Sequence, residues 1–277
     1  MSARAWLLGA GLLAGTGAAF SAAGGLGSAA PSGSVAAAAT TEAASAAQEF
    51  EGSEYTGEFT FVRIRVVGDL RGFGRFGRGR EPPWAHDYPR AERNFLRILE
   101  ETTLVDRHPD GTKILTTDDP ELFKYPVAYI SEPGFWTASD AEIAGLREWL
   151  LKGGFLIADD FRGRDWYQFA QIMEEAMPEL SFIEMQPSME VFDSFFRIES
   201  LDFQPPPDYR YDPRSGKPVF MGMFEDNDPS KRLMVIANYN NDIGDYWEWS
   251  DAGFIPIDLS NEAYKLGVNY IVYALTH

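Results

Sequence analysis

The chain has 277 residues, of which 45% are hydrophobic, enough for one folded domain with a substantial core. Its 42 Asp and Glu outnumber its 24 Lys and Arg, and the resulting net charge of −18 argues against nucleic acid or an anionic membrane surface as a partner. Cysteine is absent, which excludes disulfides, thiolate nucleophiles, iron–sulfur clusters and Cys-ligated zinc. With three histidines, a histidine-rich metal site is not expected, and we predict neither a metal nor a cofactor.

The first residues have the pattern of a targeting segment. Arg4 precedes an apolar run from Ala5 to Phe20, and the small residues that follow are typical of a cleavage site. We therefore predict a signal peptide over 1–23, a disordered Ala/Gly/Ser-rich tether over 24–57 and a single folded domain over 58–277. The protein is expected to be exported, periplasmic or extracellular; the alternative is an uncleaved N-terminal segment that anchors it to the membrane.

The folded region opens with a strand and an arginine-rich loop. Alternating residues predict a strand from Glu58 to Val67. The segment 71–80 then combines four glycines with four arginines, which could hold an anion: Arg71, Arg75, Arg78 and Arg80. The alternative is an exposed surface loop that balances the acidic charge of the domain.

Helices and strands alternate through the rest of the chain. We predict helices over 87–103, 139–151, 166–177 and 260–275, and strands over 114–116, 127–131, 154–158, 182–185, 196–201, 219–224 and 233–238. Ser139 and Glu142 have the spacing of a capping box, and Gly153-Gly154 ends that helix. Such alternation predicts an α/β fold, a three-layer flavodoxin-like sandwich with a mostly parallel sheet and helices on both faces.

The strongest candidate site follows the strand that ends at Ala158. Asp159, Asp160, Arg162 and Asp165 arrive together, and ligands of open α/β sheets bind at the carboxyl ends of strands. Paired carboxylates can supply a general acid and base or hold a hard cation through oxygen ligands. In the alternative, structural interpretation, one Asp caps the next helix and the other pairs with Arg162.

Two further clusters follow neighbouring strands. Glu132 with Phe135 and Trp136 resembles a sugar or peptide site with a stacking platform; a hydrophobic lid over the sheet edge is the alternative. The segment 238–249 offers oxygen ligands and an indole, and its residues could equally form Asx turns: Asn240, Asn241, Asp242, Asp245 and Trp247. Their spacing does not match an EF-hand loop.

A histidine precedes the first helix. His86 could be a general base oriented by Asp87, with Ser131 as the nucleophile, although Ser131 lacks the Gly-x-Ser-x-Gly turn that exposes such a serine. More simply, Asp87 caps the helix and His86 is a loop residue. Arg90 lies one turn into this helix and could face Glu132 or the Asp pair. Our candidate catalytic residues are thus Asp159, Asp160, Glu132 and His86.

Four strings of sequence resemble a bacterial family called domain of unknown function 4159: DYPRAERNFL (87–96), YPVAYISEPGFW (125–136), GGFLIADDF (153–161) and AYKLGVNYIVYALTH (263–277). The family is similar to a distant branch of the class I glutamine amidotransferase-like fold, and the resemblance hints at an assembly or envelope role. Where those amidotransferases carry a nucleophilic cysteine, after the central strand, this chain has Asp159 and Asp160. Without a thiolate, glutamine amidotransferase activity is excluded.

Two functional hypotheses follow from the sequence. The first is a non-catalytic, exported binding or assembly domain whose partner is an envelope protein or glycan, because the nucleophile is missing and histidine is scarce. The second is a carboxylate-dependent hydrolase of envelope glycans or peptides, assisted by a divalent cation if one binds. The two differ in whether the acidic residues converge on one site.

Overall fold

The structure, a computed structural model, describes residues 56–68, 82–207, 216–253 and 255–277. The predicted signal peptide, nearly all of the predicted tether and the arginines at 71–80 therefore lie outside the described residues. Within the described ranges, no helix has the length and apolar character needed to cross a bilayer.

The domain is built around a seven-stranded sheet with the strand order β2-β1-β3-β4-β7-β6-β5. The strands are β1 (Phe59–Ile64), β2 (Arg107–Leu115), β3 (Val127–Ser131), β4 (Phe155–Phe161), β5 (Phe182–Glu184), β6 (Val219–Phe224) and β7 (Leu233–Tyr239). The pairings among β2, β1, β3, β4 and β7 are parallel, and β6 and β5 continue the sheet antiparallel. The predicted α/β sandwich with a mostly parallel sheet is confirmed.

Helices cover both faces of the sheet. They are α1 (Arg90–Thr102), α2 (Asp140–Leu151), α3 (Asp165–Ala176), α4 (Ile243–Glu248) and α5 (Ile257–Thr276). One apolar core joins the sheet to α1, α4 and α5, through residues such as Phe95 and Trp247. A second core joins the opposite face to α2 and α3, through residues such as Trp149 and Phe169. The result is a three-layer structure.

Local sequence signals set the elements that lead to the central strand. The Ser139 side chain accepts a hydrogen bond from the Glu142 amide, and the Glu142 side chain accepts one from the Ser139 amide, so the predicted capping box is present. Gly154 follows the helix because a Cβ there would lie 2.3 Å from the Trp149 ring. Strand β4 is buried along its whole length, including Asp159 and Asp160, as expected for a central strand covered on both faces.

Two sequence predictions of secondary structure are wrong. Residues 196–201 form no strand, because the Asn269 side chain satisfies the backbone of Phe196 instead: it accepts from the amide at 2.8 Å and donates to the carbonyl at 2.7 Å. The segment predicted as a loop after β7 contains the short helix α4. Its N-cap is Asp242, whose side chain accepts a hydrogen bond from the Asp245 amide at 2.8 Å.

The strand order contains a topological switch point at the carboxyl edge of the sheet. The chain leaves β1 for α1 on one face and leaves β3 for α2 on the other, although β1 and β3 are neighbours. Such a switch point opens a gap between the two outgoing loops, which is where α/β proteins of this topology bind ligands. Here the flanking segments carry His86-Asp87 and Glu132.

Candidate functional site

Backbone conformation marks the carboxyl edge of the sheet. Four non-glycine residues near the strand ends have positive φ: Asp87 at 65°, Glu132 at 49°, Asp160 at 56° and Asn240 at 55°. This left-handed region is uncommon for residues with a side chain, and residues held in it cluster at functional sites. Three of the four carry carboxylates, and Asp160 lies near the end of β4 while the others lie in the connecting segments.

A buried arginine fixes the segment that bears His86 and Asp87. Arg63 on β1 is 1% exposed, and its Nη1 donates to the carbonyls of Trp84 at 2.9 Å and His86 at 2.7 Å. Its Nε donates to Glu92 of α1 at 2.5 Å, forming a buried ion pair. Strand β1 is buried along its whole length, and the alternating pattern that predicted the strand did not reveal that Arg63 is enclosed. Arg63 thereby orients the loop that enters the site.

Asp159 is the hydrogen-bonded centre of the edge. Its Oδ2 accepts from the Tyr129 hydroxyl at 2.7 Å and the Gly244 amide at 2.9 Å, and its Oδ1 accepts from Asn238 Nδ2 at 3.0 Å. Burial raises the pKa of Asp159 to about 7, and the three hydrogen bonds oppose that rise. Because its oxygens are satisfied from β3, β7 and α4, Asp159 ties these elements together.

An acidic cluster lies beside Asp159, and we use that term for His86, Asp87, Asp160 and Asp242. Each of the four offers one ligand atom, and these atoms all lie within 4.8 Å of one another. His86 Nδ1 lies 3.0 Å from Asp87 Oδ1 and 3.1 Å from Asp160 Oδ2. The three aspartates are at most 5% exposed, whereas 45% of the His86 side chain is accessible. The acidic cluster is therefore a buried group of carboxylates that opens towards solvent at His86.

Burial and neighbouring charges perturb the acidic cluster. Within the described part of the chain, Oδ2 of Asp242 has no hydrogen-bond partner, and Asp87 is in contact with another ionisable side chain, His86, at 3.0 Å. Burial, reinforced by the charge of Asp160, raises the pKa of Asp242 well above its ordinary value. Although burial alone would lower the pKa of His86, the charges and hydrogen-bonding capacity of Asp160 and Asp87 raise it. Buried polar groups are normally satisfied, so Asp242 Oδ2 is an exception to the usual pattern.

Glu132 borders the acidic cluster. Burial, and next the charge of Asp160, raise the pKa of Glu132 to about 9, while His86 opposes the rise. Among the described residues, its Oε2 has no hydrogen-bond partner. A pKa raised this far favours the protonated carboxyl of Glu132 at neutral pH.

A second acidic group shares Asp87. Ligand atoms of Asp87, Asp245 and Glu248 also lie within 4.8 Å of one another. Burial and the proximity of Asp87 raise the pKa of Glu248 to about 7. Arg90 lies on this rim, and its guanidinium donates to Asp251 at 2.6 Å and stacks 4.6 Å from the Trp249 ring centre. Arg90 thus pairs with Asp251 instead of the Asp159–Asp160 pair or Glu132.

Both tryptophans predicted to bind ligand belong to the core. Trp136 is 0% exposed and its indole nitrogen donates to Glu142, while Trp247 is 1% exposed and donates to the Ala263 carbonyl. The predicted stacking platform is therefore wrong, because neither ring presents a face to a ligand. The apolar surroundings of both rings decide this, which the local sequence does not reveal.

The two asparagines of the segment after β7 have structural roles. Asn240 accepts from the Gly163 amide at 3.0 Å and donates to the Lys217 carbonyl at 3.0 Å, and Asn241 accepts from the Asp242 amide. They fit the Asx-turn alternative of the sequence analysis. Asp242, Asp245 and Glu248 of this segment join the acidic groups.

The remaining predicted residues lie at the edges. Ser131 is buried, and its hydroxyl donates to the carboxylate of Asp160 at 3.4 Å and not to His86. Asp165 accepts from the Arg162 amide at 3.4 Å in the turn that precedes α3.

A cavity of about 440 Å³ lies elsewhere in the domain, and its lining shares no residue with the acidic cluster. The residues that line it include Arg197, Glu199, Asp202, Phe203, Leu259 and Lys265.

Comparison with known proteins decides the family. A family model described as "Domain of unknown function (DUF4159)" matches residues 73–275, most of the chain. The chain belongs to the DUF4159 family. No match was found among curated proteins. The match spans every residue of the acidic cluster, and the family description carries no activity, so the amidotransferase branch stays a prediction.

Several residues that build this DUF4159 site were not among the sequence candidates. Tyr129 and Asn238 lie inside β3 and β7, where their neighbours are apolar and nothing local distinguishes them from core residues. Gly244 allows a close approach, since a Cβ there would lie 2.7 Å from Asp87 Oδ2 and 2.8 Å from the Tyr129 hydroxyl. Glu248 is the last residue of α4, whose N-cap is Asp242. The helix brings Glu248 to the acidic residues, and the sequence pattern of the segment did not predict a helix.

Proposed function

We propose that this protein is an exported, non-catalytic binding module, and that its binding site is the acidic cluster at the carboxyl edge of the sheet. The ligand carries positive charge, either as a metal ion or as a cationic group of an envelope partner. The absence of cysteine and the absence of a Ser131–His86 contact among the described residues support a binding role over nucleophilic catalysis.

The buried carboxylates of the acidic cluster carry this proposal. Asp87, Asp160 and Asp242 bring up to three negative charges together, and His86 neutralises at most one of them. Burying a carboxylate without a partner costs several kcal/mol. This cost is a large fraction of the free energy of unfolding of a typical domain, which is about 5–15 kcal/mol. Proteins tolerate buried carboxylates of this kind at binding sites, because a bound cation supplies the opposite charge. The unliganded protein is then less stable than it would be without these carboxylates.

The stability of two aspartate variants tests this proposal. Asp242→Asn keeps the side-chain oxygen that caps α4 and removes a carboxyl group whose burial raises its pKa, so we expect the free energy of unfolding to rise by about 1–2 kcal/mol at pH 7.5 without ligand. Asp159→Asn is the matched control, because its oxygens accept three hydrogen bonds. That variant should lose about 1–3 kcal/mol.

Urea unfolding of the full chain in the presence of a chelator gives both free energies. Loss of stability in both variants would mean that the acidic cluster is a structural network, and the binding proposal would then be wrong. A gain confined to Asp242→Asn supports it.

A second candidate function is the carboxylate-dependent hydrolase of envelope glycans or peptides. The observation in its favour is Glu132, whose raised pKa favours the protonated carboxyl at neutral pH beside ionisable aspartates, as a general acid requires. Release of reducing ends from cell-wall glycans, or of amines from cell-wall peptides, would be measured for the unmodified chain and for Glu132→Gln. If the protein is a hydrolase, Glu132→Gln should lower the rate at least about 100-fold. If the unmodified chain releases neither product, the hydrolase hypothesis is wrong.

A further inference from the structure

We propose that His86, Asp87, Asp160 and Asp242 bind one divalent transition-metal ion, with Mn²⁺ or Zn²⁺ as the fitting ions. This inference rests on the proposed function, because it names the chemical class of the cation that the acidic cluster takes. The residues come from three separate segments: the loop before α1, the end of β4 and the N-cap of α4.

The spacing of the ligand atoms suits a single ion. Protein ligands lie about 2.0–2.2 Å from Zn²⁺, so atoms that share an ion are separated by up to about 4.4 Å across it. The four ligand atoms of the acidic cluster already lie within 4.8 Å of one another. The atoms are therefore close enough together to share one ion after a small adjustment of the side chains.

The unpartnered Oδ2 of Asp242 provides evidence independent of the clustering. Asp242 is 1% exposed, and among the described residues its Oδ2 has no hydrogen-bond partner. Asp242 uses its other oxygen to cap α4, which leaves Oδ2 available. An ion bound to Asp242 Oδ2 would give this oxygen the partner that burial otherwise denies it.

The donor set selects the kind of metal. Three carboxylates with one imidazole nitrogen form a mixed oxygen and nitrogen site without sulfur, which disfavours Cu(I). The imidazole favours a transition metal over Ca²⁺ and Mg²⁺, whose sites are built from oxygen. We therefore expect Mn²⁺ and Zn²⁺ to bind more tightly than Ca²⁺.

Contacts behind the ligands hold them in place. Arg63 binds the His86 carbonyl at 2.7 Å, the Ser131 hydroxyl contacts Asp160 Oδ2 at 3.4 Å, and the Asp245 amide binds Asp242 Oδ1 at 2.8 Å. Such contacts orient the ligands of metal sites and tune their affinity. The half-exposed His86 side chain supplies a path by which an ion enters and leaves.

Metal binding by the full chain tests the inference. Mn²⁺ would be titrated into chelator-treated protein, with bound ion measured by electron paramagnetic resonance and affinity by calorimetry, and Zn²⁺ and Ca²⁺ would be compared in the same way. We expect one Mn²⁺ per chain, displaced by Zn²⁺. Asp87→Asn and Asp242→Asn should each weaken Mn²⁺ binding by about 100-fold, since loss of a direct ligand exceeds the 10-fold to 100-fold effect of losing an outer contact.

Asp118→Asn is the matched control, because Asp118 is exposed and outside the acidic cluster. It removes the same charge and should bind Mn²⁺ like the unmodified chain. The thermal unfolding of each variant shows that it is folded, and Asp242→Asn is expected to fold at least as stably as the unmodified chain.

Two results would overturn the metal inference: no binding of Mn²⁺ or Zn²⁺ by the unmodified chain, or unchanged affinity in both Asp87→Asn and Asp242→Asn. If metal fails to bind while Asp242→Asn still raises stability, the metal inference is wrong and the wider proposal of a cationic ligand stands. If Asp242→Asn also lowers stability, both are wrong.

Discussion

Arg63→Met is expected to lower the free energy of unfolding by about 3–5 kcal/mol, because it leaves Glu92 buried without its ion partner. Glu92 is 1% exposed, and burial already raises its pKa while Arg63 opposes the rise. The substitution also removes the donor that binds the carbonyls of Trp84 and His86. The loop carrying His86 and Asp87 should therefore loosen as well.

Arg147→Met is the control for this experiment. Arg147 forms a two-pronged ion pair with Glu179 at 2.9 and 2.8 Å, but both side chains are more than a third exposed. Solvent screening limits such a pair to about 1 kcal/mol or less. Urea unfolding at pH 7 would compare the two variants, and an equal cost in both would contradict the structural role assigned to Arg63.

A double variant separates charge from packing. In Arg63→Met with Glu92→Leu, no charge remains buried, so part of the stability lost in Arg63→Met should return. If the double variant is less stable than Arg63→Met, then the hydrogen bonds from Arg63 to the loop carbonyls outweigh the ion pair.

Glu132→Gln should change how stability depends on pH. The pKa of Glu132 is raised from 4.5 to about 9 in the folded protein, so the folded state binds a proton that the unfolded state releases above about pH 4.5. Stability is therefore lost as the pH rises from about 4.5 to 9. Glutamine does not titrate, so the variant should be more stable than the unmodified chain by about 2 kcal/mol or more at pH 9 and nearly equal at pH 4.5.

Chemical unfolding at pH 4.5 and pH 9, with a chelator present, measures this difference. Glu174→Gln, at an exposed position of α3, is the control and should track the unmodified chain at both pH values. If Glu132→Gln also tracks it, Glu132 is ionised in the folded protein and cannot act as a general acid.

Elements with strong local signals could be predicted from the sequence. The capping box of Ser139 and Glu142 fixes the start of α2 through contacts within four residues, and the apolar run before Asp159 requires a covered central strand. The general rule that strand ends meet at one edge then placed Asp160 and Glu132 near each other. These inferences need no knowledge of distant partners.

Two features of the structure, the absence of a strand at 196–201 and the burial of Arg63, depend on side chains that are distant in the sequence. The backbone of Phe196 is satisfied by Asn269, which removes the strand that its neighbours' apolar pattern predicted. Arg63 is buried only because Glu92 lies opposite, 29 residues later. A charged residue in an apolar strand is a weak signal of such a pair, since most charged residues remain exposed.

The composition of the site was only partly predictable. Acidic and amide residues after β7 favoured a loop, and the capping role of Asp242 for α4 was hidden in that pattern. The exposure of Trp136 and Trp247 could not be judged from sequence, because indoles are common both in cores and at binding surfaces. Asp242 and His86 are far apart in the sequence, so only the tertiary structure brings them into one cluster.

The most direct test of the account is a crystal structure of the full chain grown with Mn²⁺, with anomalous diffraction used to locate the ion. We predict one strong anomalous peak from a Mn²⁺ ion bound by oxygens of Asp87, Asp160 and Asp242 at about 2.0–2.3 Å. A ring nitrogen of His86 is expected to be the fourth protein ligand. Anomalous density absent from these four residues, with Asp87 and Asp242 instead bonded to protein donors, would contradict it.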